Sequence, residues 1–368
     1  MARRWRLHAA LFVATVASAF ATQLPSGVPL REAVVDAAQY TAAIMAILLC
    51  HEFGHYIAAR LHRVDASLPF FIPMPFVSPF GTMGAVIRMR DAIRTRRALL
   101  DIGAAGPLAG LVVALPLYAW GVAHSHVVAI DGPGYGVQLG DSLLLRTLDR
   151  LFGPHLDPGT DVMLSPVAFA AWAGMFVTMI NLLPAGQLDG GHVAYALLGP
   201  RQDVVARWVH RSTLVFFFVS LVSSTIGDLR AGFGLWHLGR HVNDALFWLV
   251  WFEVLAVLGT ISSRGRSRGR EDDAQHLAQS TRLFATLGLA VMAGFLREKS
   301  APLAWVAWFA GLAVLLVMEA RWGALGPAGD LLDHPETGRE RLGLGRTIVA
   351  AITLALFGAL FMPTPFSL

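Results

Sequence analysis

Residues 41–61 read TAAIMAILLCHEFGHYIAARL, an apolar run that carries His51, Glu52 and His55 in its second half. A membrane-spanning helix needs roughly 17 to 25 mostly apolar residues, and this run is long and apolar enough. An ionisable side chain in such a segment costs about 2.5–3.5 kcal/mol on insertion scales, so it is rarely idle. The stretch therefore predicts a membrane helix with a functional site on it.

The same apolar pattern recurs along the whole chain. The 368 residues are 55% hydrophobic and 15% charged, whereas an ordinary soluble domain carries about a quarter charged residues. About nine segments are long and apolar enough to span a membrane. They lie near residues 8–22, 34–61, 99–121, 164–183, 204–226, 243–262, 281–297, 302–319 and 345–361. We therefore predict an all-α integral membrane protein, a multi-span bundle of about nine helices.

The first apolar segment has two interpretations. Arginines within residues 3–6, then an apolar run, then Ala19-Phe20-Ala21 with small residues at both ends are typical of a cleaved signal peptide. The same features suit a retained anchor, which we expect. We assign residues 1–33 to this anchor or signal segment.

The arginines predict the orientation of the helices. Five of them lie within residues 88–97 and four within 264–270, whereas residues 122–163 contain only two basic side chains. Because cytoplasmic loops are rich in Lys and Arg, residues 88–97 and 264–270 should be cytoplasmic and residues 122–163 should face outside. We expect a bacterial-type cell membrane with the active site toward the cytoplasmic side. The formal charge of +4 comes with no nucleic-acid-binding motif, so no nucleic-acid partner is expected.

The Arg/Gly/Ser stretch at 262–270 is typical of a flexible linker, with lipid binding as the alternative. We assign residues 34–240 to a predicted catalytic core and residues 241–368, which include this stretch, to a C-terminal transmembrane bundle.

Residues 68–88 interrupt the helical pattern. Four prolines and two glycines forbid a regular helix there, although the segment is strongly apolar. Non-helical backbone at membrane depth is tolerated only when it is buried in protein or lines a cavity. We expect a re-entrant hairpin with residues 84–89 strand-like; an interfacial surface loop is the alternative.

The sequence His51-Glu52-Phe53-Gly54-His55 fits the H-E-x-x-H pattern. Histidines at positions i and i+4 share one face of a helix and can bind zinc, and the glutamate beside them can act as general base. Cys50 is the single cysteine, so a cage of thiolates is excluded. A catalytic zinc usually has three protein ligands, so a further His, Asp or Glu is needed.

Asp189 is the best candidate for the third ligand. It follows an apolar segment that is broken by Pro184 and Gly186, and broken helices at the membrane midplane build ion sites. A helix N-cap is the alternative role for this aspartate.

Two motifs together resemble the site-2 proteases, which are intramembrane zinc metalloproteases. In that family H-E-x-x-H is followed by N-x-x-P-x-x-x-L-D-G, and the residues at its defined positions here are Asn181, Pro184, Leu188, Asp189 and Gly190. The resemblance covers about residues 34–226 and is greatest to members without a PDZ domain. It implies that Asn181 binds the substrate backbone and that the hairpin at Gly84, Ala85 and Val86 pairs with an unwound substrate strand.

Other residues receive simpler interpretations. We expect a structural role for His192, with a hydrogen bond near the metal as the alternative. The small residues Gly103, Gly106 and Gly110 favour close helix packing, with a substrate gate as the alternative. We expect His334 to lie in a solvated polar loop.

The sequence thus predicts a zinc metalloendopeptidase with one Zn²⁺ per chain, held by His51, His55 and Asp189. Zinc would lower the pKa of a bound water, and Glu52 would accept its proton. The expected partners are the lipid bilayer and membrane proteins with a transmembrane segment. An inactive zinc-binding scaffold or transporter is the alternative, and the intact Glu52 argues against it. A membrane-anchored zinc protease acting on soluble chains would more naturally have a soluble catalytic domain.

Overall fold

A computed structural model describes residues 5–24, 27–129, 138–235, 237–263, 270–297, 299, 301–326, 334, 337–338 and 340–367. Most of these residues are helical. The helices are α1 Trp5–Thr22, α2 Leu30–Leu61, α3 Arg96–Ala123, α4 Leu143–Phe152, α5 Pro166–Asn181, α6 Asp189–Leu198, α7 Arg201–Arg230, α8 Leu238–Ser263, α9 Arg270–Leu296, α10 Pro302–Trp322 and α11 Leu344–Leu360.

The predicted all-α membrane fold is confirmed, and every predicted apolar segment is a helix. Six helices within the described ranges are long and apolar enough to cross a membrane by length and composition: α1, α2, α3, α7, α8 and α10. Helices α5 and α11 are apolar but shorter. Two helices were not predicted, because α4 interleaves charged residues with leucines and α6 has only 10 residues.

Small residues bring α2, α3 and α5 into close contact. A Cβ atom on Gly54 of α2 would lie 2.5 Å from the carbonyl oxygen of Ala105 in α3. One on Gly121 of α3 would lie 2.5 Å from the backbone nitrogen of Ala168 in α5. Such close backbone approach is how small residues stabilise helix pairs in membranes, where apolar burial alone gives little driving force.

Residues 70–86 form the predicted hairpin. Strand β1 (Phe70–Pro73) pairs antiparallel with β2 (Thr82–Val86). Helix α1 packs against β1, and its Ser18 hydroxyl donates a hydrogen bond to the carbonyl oxygen of Gly81 at 2.5 Å. The strand predicted at residues 84–89 lies earlier in the structure. Strand β2 begins at Thr82 and ends at Val86, and Met89 forms an isolated bridge to Ala66.

The remaining strands are short. Strand β3 (His126–Ala129) pairs antiparallel with β5 (Thr160–Met163), and β4 (Gln138–Leu139) pairs with β6 (Phe366–Ser367). The Gly/Pro-rich residues 131–136 and the arginine-rich residues 264–269 lie outside the described part of the chain.

The contacts divide the chain into two compact units. The first consists of Met1–Pro133, Ser142–Leu183 and Thr337–Phe361, and it contains the hairpin and helices α1 to α5 and α11. The second consists of Gly134–Asp141, Pro184–Glu336 and Met362–Leu368. Within the second unit α7 packs against α6 and α8, and α9 packs against α8 and α10.

Candidate active site

Helix α2 places the three residues of the H-E-x-x-H motif in a buried environment. His51 and Glu52 are each 5% exposed and His55 is 8% exposed. One turn of helix separates the two histidines, so their rings lie on the same face with centroids 4.9 Å apart. The site therefore presents two imidazoles away from solvent.

The hydrogen bonds of His55 determine which of its nitrogens can bind a metal. Its Nδ1 lies 2.7 Å from the carbonyl oxygen of Ile102 in α3. A carbonyl oxygen only accepts, so Nδ1 must carry the proton and Nε2 keeps its lone pair. This backbone contact orients the ring in the way that ligands of zinc sites are usually oriented.

The two Nε2 atoms of His51 and His55 lie 3.2 Å apart. Two nitrogens bound to one tetrahedral zinc at 2.0–2.1 Å would be separated by about 3.3–3.4 Å. The observed separation is therefore close to the one that a shared zinc ion requires, and the residues fit the metal.

Two glycines of α3 make room for the imidazole rings. A Cβ atom on Gly106 would lie 2.0 Å from Nε2 of His55, and one on Gly110 would lie 3.3 Å from Cβ and Nδ1 of His51. The prediction that these glycines allow close packing is confirmed for both positions. What they accommodate is the histidine pair itself.

Asn181 is the last residue of α5, and its Nδ2 lies 3.4 Å from Nε2 of His51. The structure thus places the side chain amide of the second sequence motif at the edge of the histidine pair.

Asp189 is the first residue of α6 and is half-buried. The N-cap of this helix is Leu188, so the alternative role of Asp189 as the N-cap was wrong. A carboxylate oxygen of Asp189 and one ring nitrogen each of His51 and His55 all lie within 4.8 Å of one another. Two nitrogens and one carboxylate oxygen are a donor set that zinc accepts in catalytic sites.

The chain turns sharply before Asp189. Helix α5 ends at Asn181, and Gly186 has a φ of +55°, a left-handed conformation that glycine adopts without steric cost. A side chain on Gly191 would collide with the carbonyl oxygen of Gly186 at 2.3 Å. The predicted broken helix is therefore present, and its glycines are needed for the turn.

Residues 39–223 match Peptidase family M50. This region covers half of the chain and contains every residue of both motifs. The chain belongs to peptidase family M50, the site-2 protease family. The predicted resemblance is confirmed.

Several curated plant proteins are similar to this M50 chain. The Arabidopsis thaliana protein "Probable zinc metalloprotease EGY2, chloroplastic" is 36% identical over 163 residues, 43% of this chain and 28% of its own length. The EGY2 protein of Oryza sativa subsp. indica is 36% identical over 221 residues, 59% of this chain and 35% of its own length. Arabidopsis EGY1 is 33% identical over 182 residues, 48% and 32% of the two chains.

The matched regions thus span about a third of the length of these relatives. Their names place them in chloroplasts, which gives no support to the predicted bacterial-type cell membrane. No solved structure matches the chain.

Strand β2 of this M50 chain carries the predicted substrate-binding residues. Gly84 has a φ of +90°, Ala85 pairs with Phe71, and Val86 pairs with Phe70. In the described residues β2 has a strand partner only on the β1 side. The strand also packs against α2, the helix of the H-E-x-x-H motif.

The prediction of a solvated loop at His334 was wrong. This side chain is 4% exposed, and its ring stacks on Tyr195 of α6 with centroids 4.2 Å apart. Nε2 of His334 lies 2.8 Å from Nδ1 of His192, and its backbone N–H donates to Asp203. The polar residues around it suggested solvent, but the imidazole contacts His192 and Tyr195 and the backbone N–H of His334 contacts Asp203, all within its own unit.

Sequence reasoning did not find the contact between His55 and Ile102. Every residue offers a backbone carbonyl, so no side chain marked Ile102 as a partner. The glycines of α3 gave the one available signal, since their spacing indicated a close neighbour.

Proposed function

We propose that this M50 chain is an intramembrane zinc metalloprotease that hydrolyses peptide bonds in or near the transmembrane segments of membrane proteins. The observation that carries the proposal is the grouping of ligand atoms from His51, His55 and Asp189 within 4.8 Å, on and beside an apolar helix that also carries Glu52. The family and the names of the relatives support a zinc-dependent peptidase.

Each residue has a separate role in this proposal. His51, His55 and Asp189 hold one Zn²⁺ per chain. Bound zinc lowers the pKa of a coordinated water toward 7 and polarises the substrate carbonyl. Glu52 lies on the same buried surface, accepts the proton of the attacking water and returns it to the leaving amine. The Nδ1 contact to Ile102 keeps the ring of His55 in its orientation during these steps.

The substrate must be extended before it is cut, because a helix keeps its carbonyls in hydrogen bonds. The edge of β2 opposite β1 offers backbone groups to an unwound strand, with Gly84, Ala85 and Val86 at the pairing positions. Asn181, whose amide already contacts the histidine pair, would donate to the backbone of the same strand.

The arginine bias supports a topology in which residues 88–97 are cytoplasmic and residues 122–163 are outside. We retain this topology, together with the division into a catalytic core at 34–240 and a C-terminal bundle at 241–368, as part of the proposal. We also retain a bacterial-type cell membrane in the proposal, although the names of the curated relatives place those proteins in chloroplasts.

Separate variants of the base and of a ligand test the proposal. Glu52→Gln should keep one zinc per chain and lose hydrolysis, because an amide cannot accept the proton. Asp189→Ala should lose both zinc and hydrolysis, since one of three protein ligands is gone. Metal analysis of the purified proteins and cleavage of a transmembrane substrate in detergent measure the two outcomes.

Three results would contradict the proposal in different ways. Normal cleavage by Glu52→Gln would exclude it as the base. Full zinc content with normal cleavage in Asp189→Ala would remove this residue from the ligand set. Zinc binding by the wild type without cleavage of any transmembrane substrate would favour the scaffold or transporter.

A further inference from the structure

Four polar side chains meet inside the second unit, far along the chain from the H-E-x-x-H motif. We refer to Glu253 of α8, Gln279 and Arg282 of α9 and Glu319 of α10 as the bundle cluster. Glu253, Gln279 and Glu319 are 0% exposed and Arg282 is 2% exposed. Ionisable groups buried in membrane helices are costly and mark a functional site by default.

The hydrogen bonds of the cluster are centred on Gln279. Its amide nitrogen lies 3.0 Å from Oε2 of Glu253 and 3.3 Å from Oε1 of Glu319, and its oxygen accepts a hydrogen bond from the Arg282 guanidinium. Arg282 also forms an ion pair with Glu319. The second oxygen of Glu319 accepts from the backbone N–H of Ala324 at 2.8 Å.

The charges of the cluster do not balance when every group is ionised. Two carboxylates face a single guanidinium, so the buried cluster would carry a net charge of −1. Burying an uncompensated charge costs far more free energy than burying a neutral carboxylic acid. One positive charge, from a proton or a metal ion, is therefore required.

The two glutamates differ in how well their ionised forms are stabilised. Glu319 has the guanidinium at one oxygen and a backbone donor at the other. Glu253 has only the amide of Gln279 at Oε2, and its Oε1 has no hydrogen-bond partner in the described part of the chain. The missing positive charge therefore belongs on Glu253.

We propose that the C-terminal bundle has a proton-binding site at Glu253. The site holds its proton at neutral pH and loses it when the cluster is exposed to alkaline solution. The ligand is a proton rather than a metal cation because the Arg282 guanidinium contacts both Gln279 and Glu319 and would repel a second cation. The proposal is independent of the proteolytic function.

A further buried titratable group, His210, lies on α7, the helix that packs against α8. Nε2 of His210 lies 2.8 Å from the carbonyl oxygen of Phe252, the residue before Glu253, and its ring stacks on the Phe252 ring with centroids 4.0 Å apart. His210 is 1% exposed, and its Nδ1 has no partner among the described residues. Thr286, one turn beyond Arg282 on the same face of α9, has a buried hydroxyl without a hydrogen-bond partner in the described part of the chain.

Infrared spectroscopy of the purified full chain tests the proposal. The wild type should show the carbonyl stretch of a protonated carboxylic acid at neutral pH, and Glu253→Gln should lack that band. The glutamine has nearly the same shape and can still accept from Gln279, so the variant should fold. Glu253→Asp is the second variant, which should shift the band instead of removing it.

Thermal unfolding gives an independent measurement. The folded wild type holds a proton at Glu253 that the unfolded chain has already released in mildly acidic solution. Its melting temperature should therefore fall as the pH rises through neutral, and level off once the folded site is discharged. This fall should be smaller in Glu253→Gln, and Glu32→Gln, which changes an exposed glutamate in the first turn of α2, should behave as the wild type. An unchanged acid band in Glu253→Gln would overturn the proposal. So would a sodium- or potassium-dependent rise in melting temperature that Glu253→Gln abolishes, because it would identify the ligand as a metal cation.

Discussion

Replacing Gly106 with alanine should damage the proposed zinc site while leaving every proposed ligand and the proposed base in place. Gly106 belongs to α3 and faces the ring of His55 in α2. The substitution adds one methyl group at a position where the structure leaves no room for it.

The size of the effect follows from the distances. The new Cβ would lie 2.0 Å from Nε2 of His55 and 2.4 Å from Cδ2 and Cε1, whereas ordinary contact begins at 3.4 Å. The ring would have to move by at least about 1.4 Å to restore normal van der Waals contact. Metal–ligand distances in well-formed sites vary by only about 0.2 Å, so a displaced His55 could not remain a ligand. Zinc affinity should fall by at least about tenfold to a hundredfold.

Zinc content, cleavage of a transmembrane substrate and the thermal unfolding midpoint should be measured on the same purified samples. Gly110→Ala is the matched control, because its Cβ would lie 3.3 Å from Cβ and Nδ1 of His51 and requires a shift of only about 0.1 Å. This control should bind zinc and cleave substrate. Full zinc content with normal cleavage in Gly106→Ala, or equal losses in the two variants, would refute the placement of the His55 ring.

Three further predictions address the turn, the substrate and the topology. Gly186→Ala should destabilise the chain by about 1–2 kcal/mol through left-handed strain alone, since nothing lies within 4 Å of its Cβ position. Gly227→Ala, in open space on helix α7, should instead stabilise the chain by about 0.5–1 kcal/mol. Thermal unfolding midpoints of the two variants compare these effects, and midpoint shifts of the same sign and size would contradict the strain argument. Substrates with Gly, Pro or Asn near the cut should be cleaved faster than their leucine variants, because they unwind more easily; equal cleavage of a poly-leucine span by the purified enzyme would exclude this. A cysteine introduced at Asp141 should be labelled from the outside, and labelling from the cytoplasmic side alone would invert the topology.

The features that sequence predicted best are those fixed by local periodicity. Each segment that was predicted to span the membrane was a helix, because a helix satisfies the backbone groups of a long apolar run within the run itself. The spacing of His51 and His55 placed both rings on one face, because residues four apart in a helix lie on the same face. The break before Asp189 was visible because Pro184 removes a helical hydrogen-bond donor and Gly186 permits a left-handed turn.

Features that depend on contacts between distant segments were predicted poorly. Helix α4 has too many charged residues to be recognised as apolar, and α6 is too short. His334 was assigned to solvent because its sequence neighbours are polar, but its environment is set by Tyr195 and His192, which lie well over a hundred residues earlier. The partner of His55 is a backbone carbonyl, which has no side-chain signal.

The bundle cluster shows where the limit lies. Each of Glu253, Arg282 and Glu319 is visible in the sequence as a charge near or within an apolar segment, and the cost of burying it implies that it has a partner. Periodicity assigns a charge to a face of its own helix and gives no information about which helix lies opposite. Gln279 and Glu253 are 26 residues apart, and Gln279 and Glu319 are 40 residues apart, so only the packing of α8, α9 and α10 brings them together. The sequence therefore determines that compensation must exist, whereas the structure places two carboxylates and one guanidinium in a single buried cluster, which leaves one charge for the proposed proton.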